Sequence, residues 1–532
     1  MASKFIIYQL LLRVFGNTNT DCVSNGSYFF NGSGKFSDIN ESVFNYLKTL
    51  NISHIWYTGV IEHATKSDFS EFGIVKDNPN IVKGEAGSPY AIKDYYDVNP
   101  YLADNPNNRR EEFDSLVERT HNAGFKVIID FVPNHLARVY NSDSAPSDTE
   151  DFGIHDKLGS FSPDNNFYYI PGTKYINGDY IEKPAKASGN DCFSSTPSVN
   201  DWYETVKLNY GVDYMNGCTK HFNPIPDTWT KMYNILRFWC QKGVDGFRCD
   251  MAEMVPVEFW EWSLSKIKSE FPDVIFIAEV YNPNLYSSYI NTGKFDLLYD
   301  KVGLYDTLKF VSQGNISSSC ITGCWQSLGD LQPNMLNFLE NHDEQRVASD
   351  FNLSDPFKSI PELVVSLMLN KSPFMIYFGQ EVGEKGMLSE GFSGVDGRTS
   401  IFDYCSAPSV VRLLKNNLSK EERELLDVYR ELLDFAIKTP AIYQGDTFDL
   451  QYANYNNPYF NSDKCYVFAR KDAQTNETYV IAVDFSQSYK EAKINLPDHF
   501  FRYWEIPYGE YNPFSQVPVT FNKFGVSIFR IF

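Results

Sequence analysis

The sequence is poor in the residues that build disulfide-rich domains and zinc sites. Its 532 residues include nine cysteines and eight histidines, and the cysteines show no regular spacing. An odd number of irregularly spaced cysteines in so long a chain argues against a disulfide framework. Cys320 and Cys324 have no second pair of ligands nearby, which argues against zinc. We therefore expect reduced, mostly buried thiols in a cytoplasmic protein, or alternatively an exported protein whose signal has been removed.

A surplus of positive charge and long apolar runs are also missing. Lysine and arginine total 47 against 68 aspartates and glutamates, so the formal net charge is −21. Nucleic acids and acidic membrane surfaces require basic patches, and we expect neither as a partner. No stretch approaches the roughly 18 apolar residues of a membrane-spanning helix. No small-residue cleavage site follows the apolar start of the chain. We expect a monomer.

What the sequence does contain is a regular alternation of apolar strands and amphipathic helices. A hydrophobic content of 43% fits a large globular core. Eight strands are predicted to begin near residues 5, 54, 127, 246, 275, 297, 335 and 374. Eight strands with helical patterns between most of them predict an α/β fold of the (β/α)8 TIM barrel type.

Two segments depart from this alternation. Residues 136–205 are polar, rich in serine, asparagine and glycine, and lack a helical period, which predicts a domain inserted after the third strand. Residues 437–532 show short alternating runs, which predict a C-terminal β-sandwich. The barrel domain is accordingly assigned to residues 1–135 and 206–436.

The segment Gly246-Phe247-Arg248-Cys249-Asp250 closes the fourth predicted strand. Side chains alternate along a strand, so Arg248 and Asp250 point the same way. The arginine would then favour the ionised carboxylate and fix its orientation. Two interpretations follow from these residues alone: a salt bridge at the strand end, or a carboxylate prepared for nucleophilic attack.

Further polar side chains collect at the strand ends, where active sites of such barrels lie. They are Asp130 and His135 after strand three, Glu279 after strand five, and His342 with Asp343 after strand seven. Each alone has a structural explanation, such as a helix cap or a surface ion pair. Together, paired carboxylates with abundant tyrosines point to glycoside cleavage, in which one carboxylate attacks and another donates the proton.

Four of these segments carry a resemblance to a known family. Residues 130–135 (DFVPNH), 246–250 (GFRCD), 277–280 (IAEV) and 340–343 (ENHD) resemble the four signature regions of the α-amylase family, glycoside hydrolase family 13. The resemblance implies a retaining hydrolase that cleaves α-1,4-glucosidic bonds in starch-type glucans or maltooligosaccharides. It also identifies the insert and the C-terminal sandwich with that family's domains B and C.

The resemblance also assigns roles to single residues. It implies that Asp250 is the nucleophile, Glu279 the general acid/base and Asp343 the carboxylate that holds sugar hydroxyls. The implied substrate-binding residues are Tyr90, Asp94, His135, Arg248, Glu253 and His342. The sequence departs from the family at Glu253 and Met254, where many α-amylases carry a Lys-His pair that shapes the leaving-group side and lends a carbonyl to calcium.

Calcium is the one cofactor for which the sequence offers candidate ligands. Asn17, Asn19 and Asp21 present oxygens at every second position, as calcium-binding loops do. An ordinary turn rich in asparagine and aspartate has the same pattern. The resemblance implies Asn134 as a further calcium ligand.

Two other functions remain open at this stage. A glucanotransferase or an α-1,6-acting enzyme of the same family would use the same residues. A protein of another class, an inactive carbohydrate-binding or interaction subunit, would keep the fold without the chemistry. The intact trio of Asp250, Glu279 and Asp343 argues against this last alternative.

Overall fold

Eight parallel strands close into a barrel, which confirms the predicted fold class. The computed structural model describes residues 4–159 and 161–532; residues 1–3 of the predicted barrel domain and Ser160 of the predicted insert lie outside the described residues. The barrel strands are β1 (Ile6–Leu11), β2 (His54–Thr58), β3 (Lys126–Phe131), β4 (Gly246–Cys249), β5 (Ile275–Ala278), β6 (Leu297–Tyr299), β7 (Met335–Phe338) and β8 (Phe374–Tyr377). They follow one another around the barrel in chain order, and β8 pairs with β1.

The apolar composition of the strands follows from their position between two layers of side chains. Every residue of β1 is buried, as expected for parallel strands covered on both faces. Ile7, Trp56, Ile128, Ile277 and Met375 pack together inside the barrel. The neighbouring residues of each strand point outward, because side chains alternate, and join the large core beneath the helices.

Helices cover the outside of the barrel. Those of seven residues or more are Glu41–Thr49, Arg109–Asn122, Asp227–Gln241, Val257–Glu270, Asp306–Ser312, Cys320–Gln326, Ile360–Met368, Pro408–Leu414 and Lys420–Lys438. The shorter α-helical segments are Leu12–Phe15, Tyr28–Asn31, Pro440–Tyr443 and Asp498–Tyr503.

The insert after β3 consists of short antiparallel pairs. Its strands are His135–Ala137, Tyr169–Ile170, Tyr175–Asn177, Tyr180–Glu182, Ala185–Lys186, Thr205–Lys207, Val212–Asp213 and Thr219–Lys220. His135–Ala137 pairs with Thr205–Lys207, so the beginning and the end of the predicted insert are joined beside the mouth of the barrel. The strands after residue 205 extend the irregular region up to the helix that begins at Asp227.

The C-terminal region forms two antiparallel sheets around a core of its own. Asp446–Asp449, Cys465–Lys471, Thr478–Asp484 and Val526–Arg530 form one sheet, and Glu491–Ile494 pairs with Val517–Thr520 in the other. Residues from both sheets, among them Val467, Val480, Ile494 and Val519, share one hydrophobic cluster. This arrangement agrees with the predicted sandwich.

All nine cysteines are free thiols, as expected. Four of them are buried and two, Cys218 and Cys320, are exposed, so the expectation of mostly buried thiols was too broad. Across residues 4–159 and 161–532, none of the helices has both the length and the apolar character that crossing a membrane requires.

A long hairpin-like segment after β2 carries the predicted stacking tyrosine to the barrel mouth. Its strands, Ile61–His63 and Ile92–Val98, are antiparallel, and Tyr90 precedes the second one. Gly87 lies just before Tyr90 with φ +84°, and a Cβ atom there would lie 1.7 Å from the carbonyl oxygen of Ala64. The loop therefore has no room for a side chain at this position.

We expect Gly87→Ala to destabilise the protein far more than the matched change Gly73→Ala. Gly73 has a similar φ of +81° but no atom within 4 Å of its Cβ position, so its substitution costs only the backbone strain of about 1 kcal/mol. Thermal unfolding of both variants measures the difference. Equal melting temperatures would show that the contact with Ala64 does not constrain the loop.

Candidate active site

A cavity of about 370 Å³ lies at the carboxyl ends of the barrel strands. Five of the predicted site residues line it: Tyr90, His135, Asp250, Glu279 and Asp343. The other lining residues are Lys83, Ser88, Trp202, Glu204, Thr205, Met251, Tyr281, Ile401 and Phe402. The barrel thus brings the three predicted catalytic carboxylates to one cavity.

Arg248 links two of these carboxylates. Its Nη1 donates to Asp250 Oδ1 at 2.6 Å, and its Nη2 forms an ion pair with Glu279 Oε2 at 2.7 Å. The guanidinium is fully buried and lies 5.2 to 5.6 Å from the ring centres of Trp56, Tyr90 and Tyr299. A buried cation enclosed in this way fixes the orientation of both carboxylates.

The turn after the nucleophile position supports Glu279 from a second side. Met251 adopts a left-handed conformation with φ +43°, uncommon for a residue other than glycine. This conformation directs its backbone N–H at Glu279 Oε2, 2.8 Å away. The hydroxyl of Tyr281 donates to Glu279 Oε1. Both oxygens of Glu279 are therefore held in place.

The protonation of Asp250 depends on competing effects. Burial raises its pKa, and the neighbouring charges of Glu279 and Asp343 act in the same direction, while Arg248 opposes them. His135 lies 4.0 Å from Asp250 Oδ2, and burial lowers the pKa of this histidine to about 3. His135 is thus neutral at ordinary pH and places an uncharged ring nitrogen beside the nucleophile position.

Tyr90 and His342 form a stacked pair at the floor of the site. Their ring centres are 5.2 Å apart, and the Tyr90 hydroxyl lies 2.5 Å from His342 Nε2. The other ring nitrogen of His342 contacts Gln9 Nε2 at 2.8 Å. Burial, followed by the charge of Arg248, lowers the pKa of His342 well below its usual value, so this ring too is neutral.

Asp130 supports the same floor from strand β3. It pairs in register with Arg248 across β3 and β4 and accepts hydrogen bonds from Trp56 Nε1 and Gly59 N, both at 3.2 Å. Burial raises its pKa to about 6. Its contacts identify it as a residue that positions Arg248 and Tyr90.

Asp343 is the most accessible of the three catalytic candidates. Its side chain is 42% exposed, whereas those of Asp250 and Glu279 are nearly enclosed. Its backbone N–H donates to Asn341 Oδ1 at 2.8 Å, which fixes the turn after β7. The carboxylate consequently remains available to bind hydroxyl groups in the cavity.

The structure gives Asp94 a different place from the predicted substrate contact. Its Oδ1 accepts from Tyr96 N and the Ser142 hydroxyl, both at 2.8 Å. Its Oδ2 accepts from Asp143 N at 3.1 Å and Ser144 N at 3.3 Å. Since these donors enclose the carboxylate, Asp94 ties the strand after Tyr90 to the insert and leaves no oxygen directed at the cavity.

Glu253 is not among the residues that line the cavity and contacts it only through a neighbouring loop. Its Oε2 accepts from the backbone N–H groups of Tyr281 and Asn282, both at 3.0 Å. The carboxylate thus holds the loop that presents Tyr281 to Glu279. Glu253 is a positioning residue, and the predicted direct contact with substrate is replaced by contact through Tyr281.

Sequence reasoning missed the residues that the insert contributes. Trp202 packs its ring 5.1 Å from that of His135, and Glu204 pairs with Lys83 at 3.1 Å. The only available signal was the aromatic and charged content of residues 202–205 at the end of the predicted insert. Tyr281 could have been found, because it follows Glu279 by two residues and so points to the same side if the strand continues.

The residues around Asn134 do not fit the calcium site that the resemblance implies. Asn134 Oδ1 accepts a hydrogen bond from Lys207 Nζ at 2.8 Å, and the same ammonium pairs with Asp191 at 2.5 Å. The Lys207 side chain is buried. A fixed positive charge therefore occupies the position and would repel a metal cation.

The N-terminal loop uses its oxygens in turns. Asn17 Oδ1 accepts from Asn19 N at 3.1 Å, and Asn19 Oδ1 accepts from Asp21 N at 3.0 Å. These are the contacts of the asparagine-rich turn that was the alternative interpretation. Calcium binding by Asn17, Asn19 and Asp21 stays a prediction.

Comparison with known proteins agrees with this geometry. The family described as "Alpha amylase, catalytic domain" matches residues 9–478. Alpha-amylase 3 of Dictyoglomus thermophilum is 24% identical over 471 residues, 83% of this chain and 78% of that protein. Alpha-amylase 2 of the same organism is 24% identical over 379 residues, 69% of this chain and 55% of that protein, so the chain spans about half of its length.

Solved structures share the fold over the whole chain. Cyclic alpha-maltosyl-(1→6)-maltose hydrolase from Arthrobacter globiformis superimposes with a TM-score of 0.64 at 16% identity, covering 100% of this chain and 99% of that one. At this identity the likeness concerns the fold alone.

The family match spans the barrel, the insert and part of the C-terminal sheets, and the chain belongs to the α-amylase family.

Proposed function

We propose that this protein is a retaining glycoside hydrolase that cleaves α-1,4-glucosidic bonds in maltooligosaccharides or starch-type glucans. The observation that carries the proposal is the single buried guanidinium of Arg248 between Asp250 and Glu279. This arrangement fixes two carboxylates on one cavity while Asp343 remains accessible to bind sugar hydroxyls. Two fixed carboxylates and a third for binding are what glycoside cleavage requires.

The proposed reaction proceeds in two displacements. An oxygen of Asp250 attacks the anomeric carbon, the bond from that carbon to the glycosidic oxygen breaks, and Glu279 gives its proton to the departing oxygen. A water molecule then attacks the same carbon, Glu279 accepts a proton from that water, and Asp250 leaves. Two inversions at one carbon return the original configuration.

The shape and lining of the cavity support a carbohydrate substrate. Tyr90, Trp202, Tyr281 and Phe402 provide flat apolar surfaces for sugar rings, and the polar side chains between them can bind hydroxyl groups. A volume of about 370 Å³ is at the small end of ligand pockets. We propose that it encloses the sugar ring under attack, while the rest of a glucan chain extends outside.

Transfer and α-1,6 cleavage are the alternatives within the same chemistry. Both reactions use the proposed nucleophile and acid/base. In transfer, a sugar hydroxyl attacks the intermediate in place of water. In α-1,6 cleavage, a different linkage enters the site. A binding subunit without activity would have no need to keep both oxygens of Glu279 fixed beside Asp250. Product analysis separates these possibilities.

Incubation with maltoheptaose is expected to release shorter maltooligosaccharides with the α-configuration, as followed by chromatography and by the anomeric proton signals. Asp250→Asn and Glu279→Gln should each lower turnover by at least about 10³-fold, since each removes a group that acts on the reacting bond. Products longer than maltoheptaose would indicate transfer. Wild-type levels of turnover in Asp250→Asn would reject the assignment of the nucleophile.

Glu253→Ala is expected to lower kcat about tenfold, equivalent to about 1.4 kcal/mol, because Tyr281 and Asn282 lose the acceptor that fixes their loop. Glu253→Gln keeps an oxygen in the same place and should restore most of the activity. The measurement is kcat on maltoheptaose together with the melting temperature. A lowered melting temperature with unchanged kcat would mean that Glu253 serves stability alone.

The raised pKa of Asp250 predicts the acid side of the pH profile. The nucleophile must be ionised, so activity should fall as the pH drops through its pKa, which burial places above the ordinary value of about 4. The measurement is kcat/KM against pH, with enzyme returned from each pH to neutrality as a control for unfolding. Full activity maintained at pH 4 would contradict the expectation.

A further inference from the structure

A second cluster of acidic side chains lies outside the cavity. It consists of Glu62 on the strand Ile61–His63, Asp94 and Asp97 on Ile92–Val98, and Asp143 at the start of the insert. One carboxylate oxygen from each lies within 4.8 Å of the other three. Glu62, Asp94 and Asp97 are buried and Asp143 is exposed, so the cluster is reached from the surface through Asp143.

The surrounding positive charges do not balance this cluster. Arg109 binds Asp97 and lies 3.8 Å from Asp143. Lys93 lies 3.7 Å from Glu62 and 3.3 Å from a fifth carboxylate, Asp77. Five carboxylates therefore share two cations at a largely buried position. Such an excess of negative charge is costly in a low-dielectric environment unless a further cation or protons neutralise it.

Glu62 provides an independent indication of a missing partner. Its side chain is 3% exposed, and its Oε2 finds no hydrogen-bond partner among residues 4–159 and 161–532. Buried carboxylate oxygens are normally paired. Asp94 differs, because four N–H and O–H groups already saturate it. Glu62, the carboxylate with an unpaired oxygen, thus faces the carboxylates of Asp94, Asp97 and Asp143.

Neutralisation by protons explains this arrangement less well than a cation does. Burial raises the pKa of Glu62 and raises that of Asp94 to about 7, so protons neutralise part of the charge but do not account for the convergence of the oxygens. Asp143 is exposed and could turn towards water, which would relieve the repulsion, yet its carboxylate stays with the other three. A divalent cation accounts for both the charge and the convergence of oxygens.

We propose that Glu62, Asp97 and Asp143 form a binding site for a hard divalent cation of the calcium type, with the hydrogen-bonded carboxylate of Asp94 beside it. The candidate ligands are carboxylate oxygens, which such ions prefer, and nitrogen or sulfur ligands are not among them. The site joins the segment that carries Tyr90 to the first residues of the insert. It is distinct from the Asn17 loop and from Asn134, where Lys207 already supplies the positive charge.

Calcium binding to the full-length protein tests the proposal. After treatment with a chelator and its removal, titration with calcium chloride is followed by calorimetry and by melting temperature. We expect the wild-type protein to bind calcium and to melt at a higher temperature with it. Glu62→Gln should weaken binding at this site at least tenfold. Asp21→Asn in the N-terminal loop is the matched control and should leave binding at the Glu62 site unchanged.

Asp143→Asn serves as a second variant in case Glu62→Gln prevents folding. Because Asp143 is exposed, we expect its substitution to leave the protein folded. It is expected to weaken calcium binding in the same direction. Absence of calcium binding by the wild-type protein would overturn the proposal. The proposal would also be overturned if Asp21→Asn abolished calcium binding while Glu62→Gln and Asp143→Asn left it intact. None of these readouts depends on glycoside hydrolysis.

Discussion

The arrangement of the active site depends on one buried cation. Arg248 is completely enclosed, and three aromatic rings surround its guanidinium. A charge in such a place is tolerated only when carboxylates compensate it, and Asp250 and Glu279 do so at 2.6 and 2.7 Å. Because the arginine side chain cannot turn towards water, its two partners cannot separate either. The spacing of Asp250 and Glu279 is thereby built into the packing of the barrel.

The insert completes the site from the opposite side. Its first strand, His135–Ala137, pairs with Thr205–Lys207 beside the mouth of the barrel, with His135 opposite Lys207 and Ala137 opposite Thr205. Trp202 and Glu204 are delivered to the cavity by the same pairing. The barrel therefore supplies the carboxylates of the cavity, and the insert supplies much of its wall.

Local periodicity was sufficient to predict the barrel and to place Asp250, Glu279 and Asp343 at the ends of its strands, where they line one cavity; their catalytic roles come from the family resemblance and stay predictions. Buried strands show as apolar runs, and a polar residue at the end of such a run stands out. Asp94 and Glu253 were placed in the right region with the wrong partners, since spacing does not reveal which backbone N–H groups a carboxylate meets. Trp202 was missed because the insert has no period from which to predict its fold.

The chain departs from the family pattern at two places, and in each a contact of its own side chains is found. The Lys-His pair that lends a carbonyl to calcium in many α-amylases is replaced by Glu253 and Met254. Lys207 places its ammonium on Asn134, so a protein charge stands where the resemblance implies a metal ligand. Glu253 holds the loop of Tyr281 through the backbone N–H groups of Tyr281 and Asn282. Both positions are thus occupied by hydrogen bonds of the chain itself.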